Sequence, residues 1–296
     1  MQAASAHPEL SAEDVERLRA ACRRPVVDPR DGLFASESFI RRVNREAVVL
    51  LGGGRALLLQ IAHPLVAAAV AAHSRFRAEP LARLWRTLDL MLTIVFADAA
   101  HALAAVHEIE RVHARVHGVL DADVGPWRRG TPYDANDPTL LLWVHATLVD
   151  SALLVYGRFV APLSPEDRAT YYEEAKVGAR LLGIPDALVP PSHRAFEDYV
   201  DAMVRDDVLT VGETARDLAA SILAPPLPLP LGEPFRVARF FTIGLLPSAV
   251  RTRYGLAWRA THERLLDALA ALTRPTLRFL PECLRLMPHA RRGRWS

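Results

Sequence analysis

Polar side chains interrupt several helical stretches that are otherwise apolar: Gln60, His63, His73, Arg83, Arg86, Thr87, His101, His107, His113, His117 and His145. Imidazoles on such helices can ligate a metal, shuttle a proton or simply bond a carbonyl, so spacing has to separate these uses. H-E-x-x-H is absent, although Glu108 directly follows His107 in AVHEIERVHARVH. His113 and His117 are four residues apart and face the same way, as zinc ligands often do, but no carboxylate-rich helix supplies the remaining ligands. Glu110 and His113 form a single E-x-x-H, whereas a carboxylate-bridged di-metal site needs two. G-x-S-x-G does not occur, which removes the nucleophile elbow of a serine hydrolase. Haem b asks for less: one axial imidazole, an apolar slot and one or two cations for the propionates. His113, with Arg83 or Arg86 on a neighbouring helix, meets that list. From spacing alone, a lone helical histidine is more often a structural or surface residue, and both readings stay open at this point.

The elements that must position these residues read as helices nearly throughout. Ser11 with Asp14 resembles a capping box opening a short charged helix to about residue 23. A helix follows over about 36–50, and the glycines at 52–54 are expected to break the chain before an apolar helix over about 56–72. Pro80 suits the first turn of a helix through LARLWRTLDLMLTIVFADA. The next runs from about 99 to 117 and is expected to stop at Gly118 in the left-handed conformation. DADVGPWRRGTPYDANDP reads as a loop, and LLLWVHATLVDSALLVYGRFV as a second strongly apolar helix. Ser164 caps the next helix, which stops at Gly183. Ser192 starts another, and Thr210 with Glu213 predicts a capping box for the one after. PPLPLPLGEP is an extended loop before further helices. No alternating strand pattern exceeds a few residues, and no repeat is present. The expectation is an all-α, single-domain bundle of about a dozen helices with a central buried pair. It divides into an N-terminal helix and loop over 1–34, the main helical domain over 35–260, and C-terminal helices with a basic tail over 261–296 packed on the same domain.

Composition narrows the partners. The 36 basic residues are offset by 34 acidic ones for a net charge of +2, scattered along the chain, which argues against nucleic acid. Cys22 and Cys283 have no zinc, haem-attachment or disulfide spacing, so a reducing cytoplasm fits. The N-terminus lacks the apolar core of a secretory signal. The apolar run over 56–72 contains Gln60, His63 and Pro64 and falls short of a membrane span, so no transmembrane segment is expected.

In order and spacing, LLLQIAHPLVAAAVAAHS, EPLARLWRT, RVHARVHG and YDANDPTLLLWVHATLVDS resemble the rubber oxygenase (latex clearing protein) and MpaB-like catalytic domain family, over roughly residues 35–260 and in its uncharacterised bacterial branch. YYEEAKVGARLLGIP, VPPSHRAFEDYV and GLLPSAVRTRYGLAW extend the likeness. The resemblance implies a globin-like helical core around a buried pocket holding non-covalent haem b. It also implies dioxygen as co-substrate and cleavage of carbon–carbon double bonds in isoprenoids. It makes His113 the proximal iron ligand, with His117 second, and places Arg83 and Thr87 near the distal face. The latex enzyme has a lysine just before the threonine that can ligate the iron, and Arg86 stands there in this chain. A guanidinium has no lone pair to offer, so Arg86 is expected at a propionate or a polar substrate group instead. Glu79, one turn before Arg83, is the acidic residue nearest to the position of that enzyme's proposed base.

His145 is expected in the second shell or distal pocket, or bonded to a backbone carbonyl. His63, just before Pro64, is expected to satisfy a carbonyl freed by the proline or to line the pocket. His73 closes its helix, where the dipole favours an imidazolium. The functional expectation is a haem b oxygenase acting on a hydrophobic small molecule, isoprenoid-like or polyketide-like, with an unidentified electron donor. The alternatives are a non-catalytic haem- or lipid-binding protein, or another haem reaction on the same fold.

Overall fold

A computed structural model describes residues 10–22, 31–73, 80–224 and 233–292; the side chains of 80–84, 233–234 and 292 lie outside that description, as do Glu79, the proline-rich run at 225–232 and the tail at 293–296. The described residues form one mostly helical body. Its helices are α1 (Ala12–Ala21), α2 (Phe39–Asn44), α3 (Leu51–Ile61), α4 (Pro64–His73), α5 (Pro80–Phe96), α6 (Ala99–His113), α7 (Pro138–Phe159), α8 (Pro165–Leu181), α9 (His193–Arg205), α10 (Glu213–Leu223), α11 (Glu233–Leu245), α12 (Ser248–Arg253), α13 (Ala260–Leu277), α14 (Glu282–Arg285) and α15 (Pro288–Arg292). A two-stranded antiparallel hairpin, β1 (His117–Val119) and β2 (Pro132–Asp134), pairs Gly118 with Tyr133.

The two helices apolar on all sides form the centre, with α3 lying along α7 and α2, α8, α9 and α13 packed around the rest of α7. At 22 residues α7 is long and apolar enough to cross a membrane, and 67% of its most apolar window is buried by its neighbours. The C-terminal helices join the same body: α13 packs on α7 and α11, and α15 packs on α5.

Several local expectations change. The glycines at 52–54 do not break the chain but lie inside α3. A Cβ at Gly52 would come within 3.1 Å of the Ser151 carbonyl on α7, and one at Gly54 within 2.1 Å of Thr242 Oγ1 on α11, while Gly53 faces open space. The triplet therefore lets α3 approach two helices closely on two faces. Gly54→Ala should cost about 1–3 kcal/mol by overpacking. Gly53→Ala should gain about 0.5–1 kcal/mol from helix propensity. Urea melts of the two variants check this, and equal effects would contradict the packing account.

The expected helix over 56–72 is instead two helices bent by 104° between Ile61 and Pro64. Pro64 has no N–H, and the carbonyls at the break are all bonded: Gln60 O accepts the His63 N–H at 3.2 Å, Leu59 O accepts from Trp143 Nε1 at 3.1 Å, and Leu58 O keeps the Ala62 N–H at 3.1 Å while also accepting the Tyr254 hydroxyl at 2.7 Å. The helix expected to reach 117 ends at His113. Gly118 sits in β1 and not in a left-handed cap, because a Cβ there would strike the Tyr133 ring. The Thr210–Glu213 capping box does not form: Gly212 is the N-cap of α10, and the Thr210 hydroxyl donates to Asp207 O at 2.6 Å. The Ser11–Asp14 box, the Ser164 and Ser192 caps and the positive-φ Gly183 stop are as expected.

Candidate functional site

The helical hairpin of α5 and α6 carries His113 on one helix and Arg83, Arg86 and Thr87 on the other. Residues 97 and 98 turn the chain, Asp98 caps α6 by accepting from His101 N–H at 2.9 Å, and the two helices pack along their length. The 17 residues of α5 and 15 of α6 have nearly equal length, so the antiparallel fold puts His113 level with the start of α5, where Arg83, Arg86 and Thr87 lie.

Helical spacing then defines which face each residue occupies. Thr87 shares a stripe with Leu90, Met91 and Ile94, and His113 shares one with Ile109, Val106 and Ala102. Ile94, Ala102 and Val106 are buried in the main core, and Leu90, Met91 and Ile109 pack against it. At the far end the burial stops: Thr87 and Arg86 are exposed and His113 is half-buried. Two stripes that face the core inside the bundle thus end at residues nearer the solvent, with an imidazole on one and a hydroxyl on the other. Arg83 continues the Thr87 stripe by position, four residues earlier, and its side chain lies outside the described residues. On the flank, α1 holds α6 through Arg17 to Glu110 and through Asp14 to His107 at 3.1 Å.

The same end carries a contact that the sequence did not signal. His73, at the close of α4, lies 3.2 Å from the Tyr133 hydroxyl on β2, and Gly118 leaves room for that ring. His117 is exposed on β1 beside it. Nothing local to Tyr133 marks it, because the contact depends on α4 meeting the hairpin.

The remaining imidazoles are tied into the core. His63 is 4% exposed, accepts the Leu65 N–H on Nδ1 at 3.3 Å and stacks on Trp127 with ring centres 4.9 Å apart. The Gln60 carbonyl that Pro64 leaves without its i+4 donor accepts the His63 backbone N–H at 3.2 Å, and the Leu59 carbonyl goes to Trp143. His145 lies between α7 and α8, bonded to the Ala175 backbone and close to Gly178. Burial pushes each down to about 4; nearby Asp137 offsets part of this at His63, and the Ala175 bond part of it at His145. His101 is a helix-cap partner of Asp98, and Gln60 donates to Thr147 at 2.9 Å.

Because the unfolded chain binds protons on these two histidines at about 6.5 and the folded chain only at about 4, their neutral forms favour the fold. That stability is fully present above pH 6.5 and is lost as pH falls towards 4, on the order of 3 kcal/mol for each group. Urea midpoints should therefore fall across this window, and His145→Gln should flatten the fall. A midpoint that stays level contradicts the assignment.

Arg55 is another residue the sequence reading passed over. It stands 4% exposed within α3. Its guanidinium donates to Asp150 Oδ2 at 2.5 Å, Ser151 Oγ at 2.7 Å and Leu245 O at 2.9 Å, joining α3, α7 and α11. The signal was the lone charge in GGGRALLLQ.

Chemically, this end of the hairpin carries one imidazole on α6 and an exposed arginine, Arg86, on α5. Among the described residues no cluster of three or more His, Cys, Asp or Glu side chains is placed to hold a bare metal ion. A lone imidazole is the donor that a ring-bound metal needs from a protein, so this residue type is compatible with such a group.

Comparison with known proteins agrees with the motif order. A family model described as "ER-bound oxygenase mpaB/B'/Rubber oxygenase, catalytic domain" matches residues 40–275. An uncharacterised protein of Mycobacterium tuberculosis and one of Mycobacterium bovis are each 31% identical over 163 residues, covering 50% of this chain and 58% of theirs. The chain thus matches little more than half the length of these relatives. No solved structure matches the chain.

Proposed function

Since the chain belongs to the MpaB and rubber oxygenase catalytic domain family, whose members are oxygenases, we propose that it is a haem b-dependent oxygenase acting on a hydrophobic small molecule, isoprenoid-like or polyketide-like. The observation that supports this best is the match of residues 40–275 to the oxygenase family model, with His113 and Thr87 carried on the adjacent helices α6 and α5. Haem b, when bound, supplies the redox chemistry by which dioxygen is used on an alkene or C–H bond.

This chain's residues take the supporting roles. His113 would hold the group through one ring nitrogen. Arg86, exposed on the neighbouring helix, would pair with a propionate and, lacking a lone pair, could not itself ligate the iron. Arg83 and Thr87 orient the substrate or its oxygen by hydrogen bonding from the neighbouring helix. Leu90, Met91 and Ile109 continue the apolar wall that holds a greasy substrate and excludes water. His63 and His145, neutral and already bonded, stiffen the core behind the site. The electron donor is a separate partner, and the setting is the cytoplasm.

Oxygen uptake tests the reading. Purified protein given a chemical reductant should consume oxygen in the presence of hydrophobic alkenes such as squalene, and much less without them. Protein that carries haem yet consumes none with any alkene would be a binder and not an oxygenase.

A further inference from the structure

The segment that follows α13 grips the outer flank of α5 through contacts that the reaction does not use. Met287 is 4% exposed and packs with Leu92 and Phe96 of α5, with Leu88 and Ala290 against them. His289 Nε2 lies 2.9 Å from Asp89 Oδ1, about one turn nearer the start of that helix. The same segment is fastened to the residues after α2. Leu286 bridges Glu46, the Met287 N–H bonds Arg45 O at 2.7 Å, and Arg285 donates to both carboxylate oxygens of Glu46 at 2.8 and 2.9 Å. Glu46 also accepts from Arg45 Nε at 3.3 Å, so its charge keeps a partner when Arg285 leaves. All of these anchors lie between Arg285 and Ala290.

The support around the anchors is thin. Residues 278–284, which join the segment to α13, are exposed without exception. A cleft of 430 Å³ lies beside it, lined by Arg41, Arg42 and Arg45 on one side and by Leu286 and Ala290 on the other. The helices α14 and α15 have four and five residues, too few to be stable alone. Once the anchors release, the segment's own helices do not keep it folded. It therefore opens as one unit, at a lower cost than the core.

We propose that residues 282–290 are a detachable strap that sets how firmly α5 is held. Closed, the strap clamps α5 against α6. Open, it frees the outer flank of the helix that carries Arg86 and Thr87. The main helix neighbours of α5 are α6, α2 and α15, so release of α15 removes one support of three. Asp89 is two residues from Thr87, so the grip reaches the half of α5 where that hydroxyl stands. The opening requires no cofactor. Its bearing on the oxygenase reaction rests on the roles given to Arg86 and Thr87, whereas hydrogen exchange reads the opening alone.

Native-state hydrogen exchange of the full chain, read peptide by peptide in a mass spectrometer, measures it. Peptides over 282–290 should exchange far sooner than those of α7, and peptides over 85–96 at an intermediate rate. Met287→Ser should speed exchange over both on the order of 10–100-fold, the usual worth of a buried methionine side chain, and leave α7 unchanged. His289→Ala cuts the contact to Asp89 and leaves Arg285 on Glu46, so it should speed exchange over 85–96 by a smaller factor. Should Met287→Ser loosen α7 as well, His289→Ala, at a half-buried position, decides between the same outcomes. Exchange of 282–290 only at the rate of α7 means that the strap opens with the whole fold, and overturns the proposal. So does faster exchange over 282–290 with none over 85–96 in either variant, because the strap would then hold nothing.

Discussion

His113→Ala is expected to come out of expression without its haem absorbance, while keeping its helical content and melting temperature. The imidazole is half-buried at the last turn of α6, so its removal opens little cavity. The cost therefore falls on the ligand and not on the fold, which separates it from a core histidine. Added imidazole should restore part of the Soret band by entering the vacated position. The matching substitution at His117, exposed on β1, should change neither spectrum nor melt. If His113→Ala retains full haem content and an unaltered spectrum, the ligand assignment is wrong and this end of the α5–α6 hairpin loses its central group.

Arg55→Ala is expected to have the largest effect on stability, about 3–5 kcal/mol, because it strands a partly buried carboxylate and two buried acceptors at once. The guanidinium meets Asp150, Ser151 and Leu245 O, on two different elements beyond its own. That loss is a large share of a typical folding stability of about 5–15 kcal/mol. Asp150→Asn should cost less, and the double variant should cost less than the two singles summed, since the charge left unpaired by the first change is gone. Chemical denaturation of the four proteins measures the coupling. Additive losses would mean that the pair is not a unit.

Much of the scaffold was legible because it is locally encoded. Ser11 with Asp14, Ser164 with Asp167 and Ser192 announce helix starts within three residues, and Gly183 announces a stop. The central placement of α7 followed from its apolar character, whereas the other expected central helix, over 56–72, is split between α3 and α4. The glycine failures share a cause, which is distance along the chain. Gly52 and Gly54 look like breakers until α7 and α11 arrive against them. Gly118 looks like a cap until β2, some fifteen residues on, pairs with it. Thr210 and Glu213 have the right spacing for a box, but the Thr210 hydroxyl finds the Asp207 carbonyl first.

The site was legible to a different depth. The family resemblance brought forward His113, Arg86 and Thr87, which lie on the adjacent helices α6 and α5. The partners of His63 and His145 come from other segments, so only the fold distinguishes a bonded core imidazole from one facing a ligand. Tyr133 beside His73 was invisible for the same reason.

The most direct test of the haem assignment is one optical spectrum of the purified protein, recorded oxidised and then reduced. The account predicts a Soret band that shifts on reduction and depends on His113. A protein saturated with supplied haem that shows no Soret band bound to the chain would contradict it.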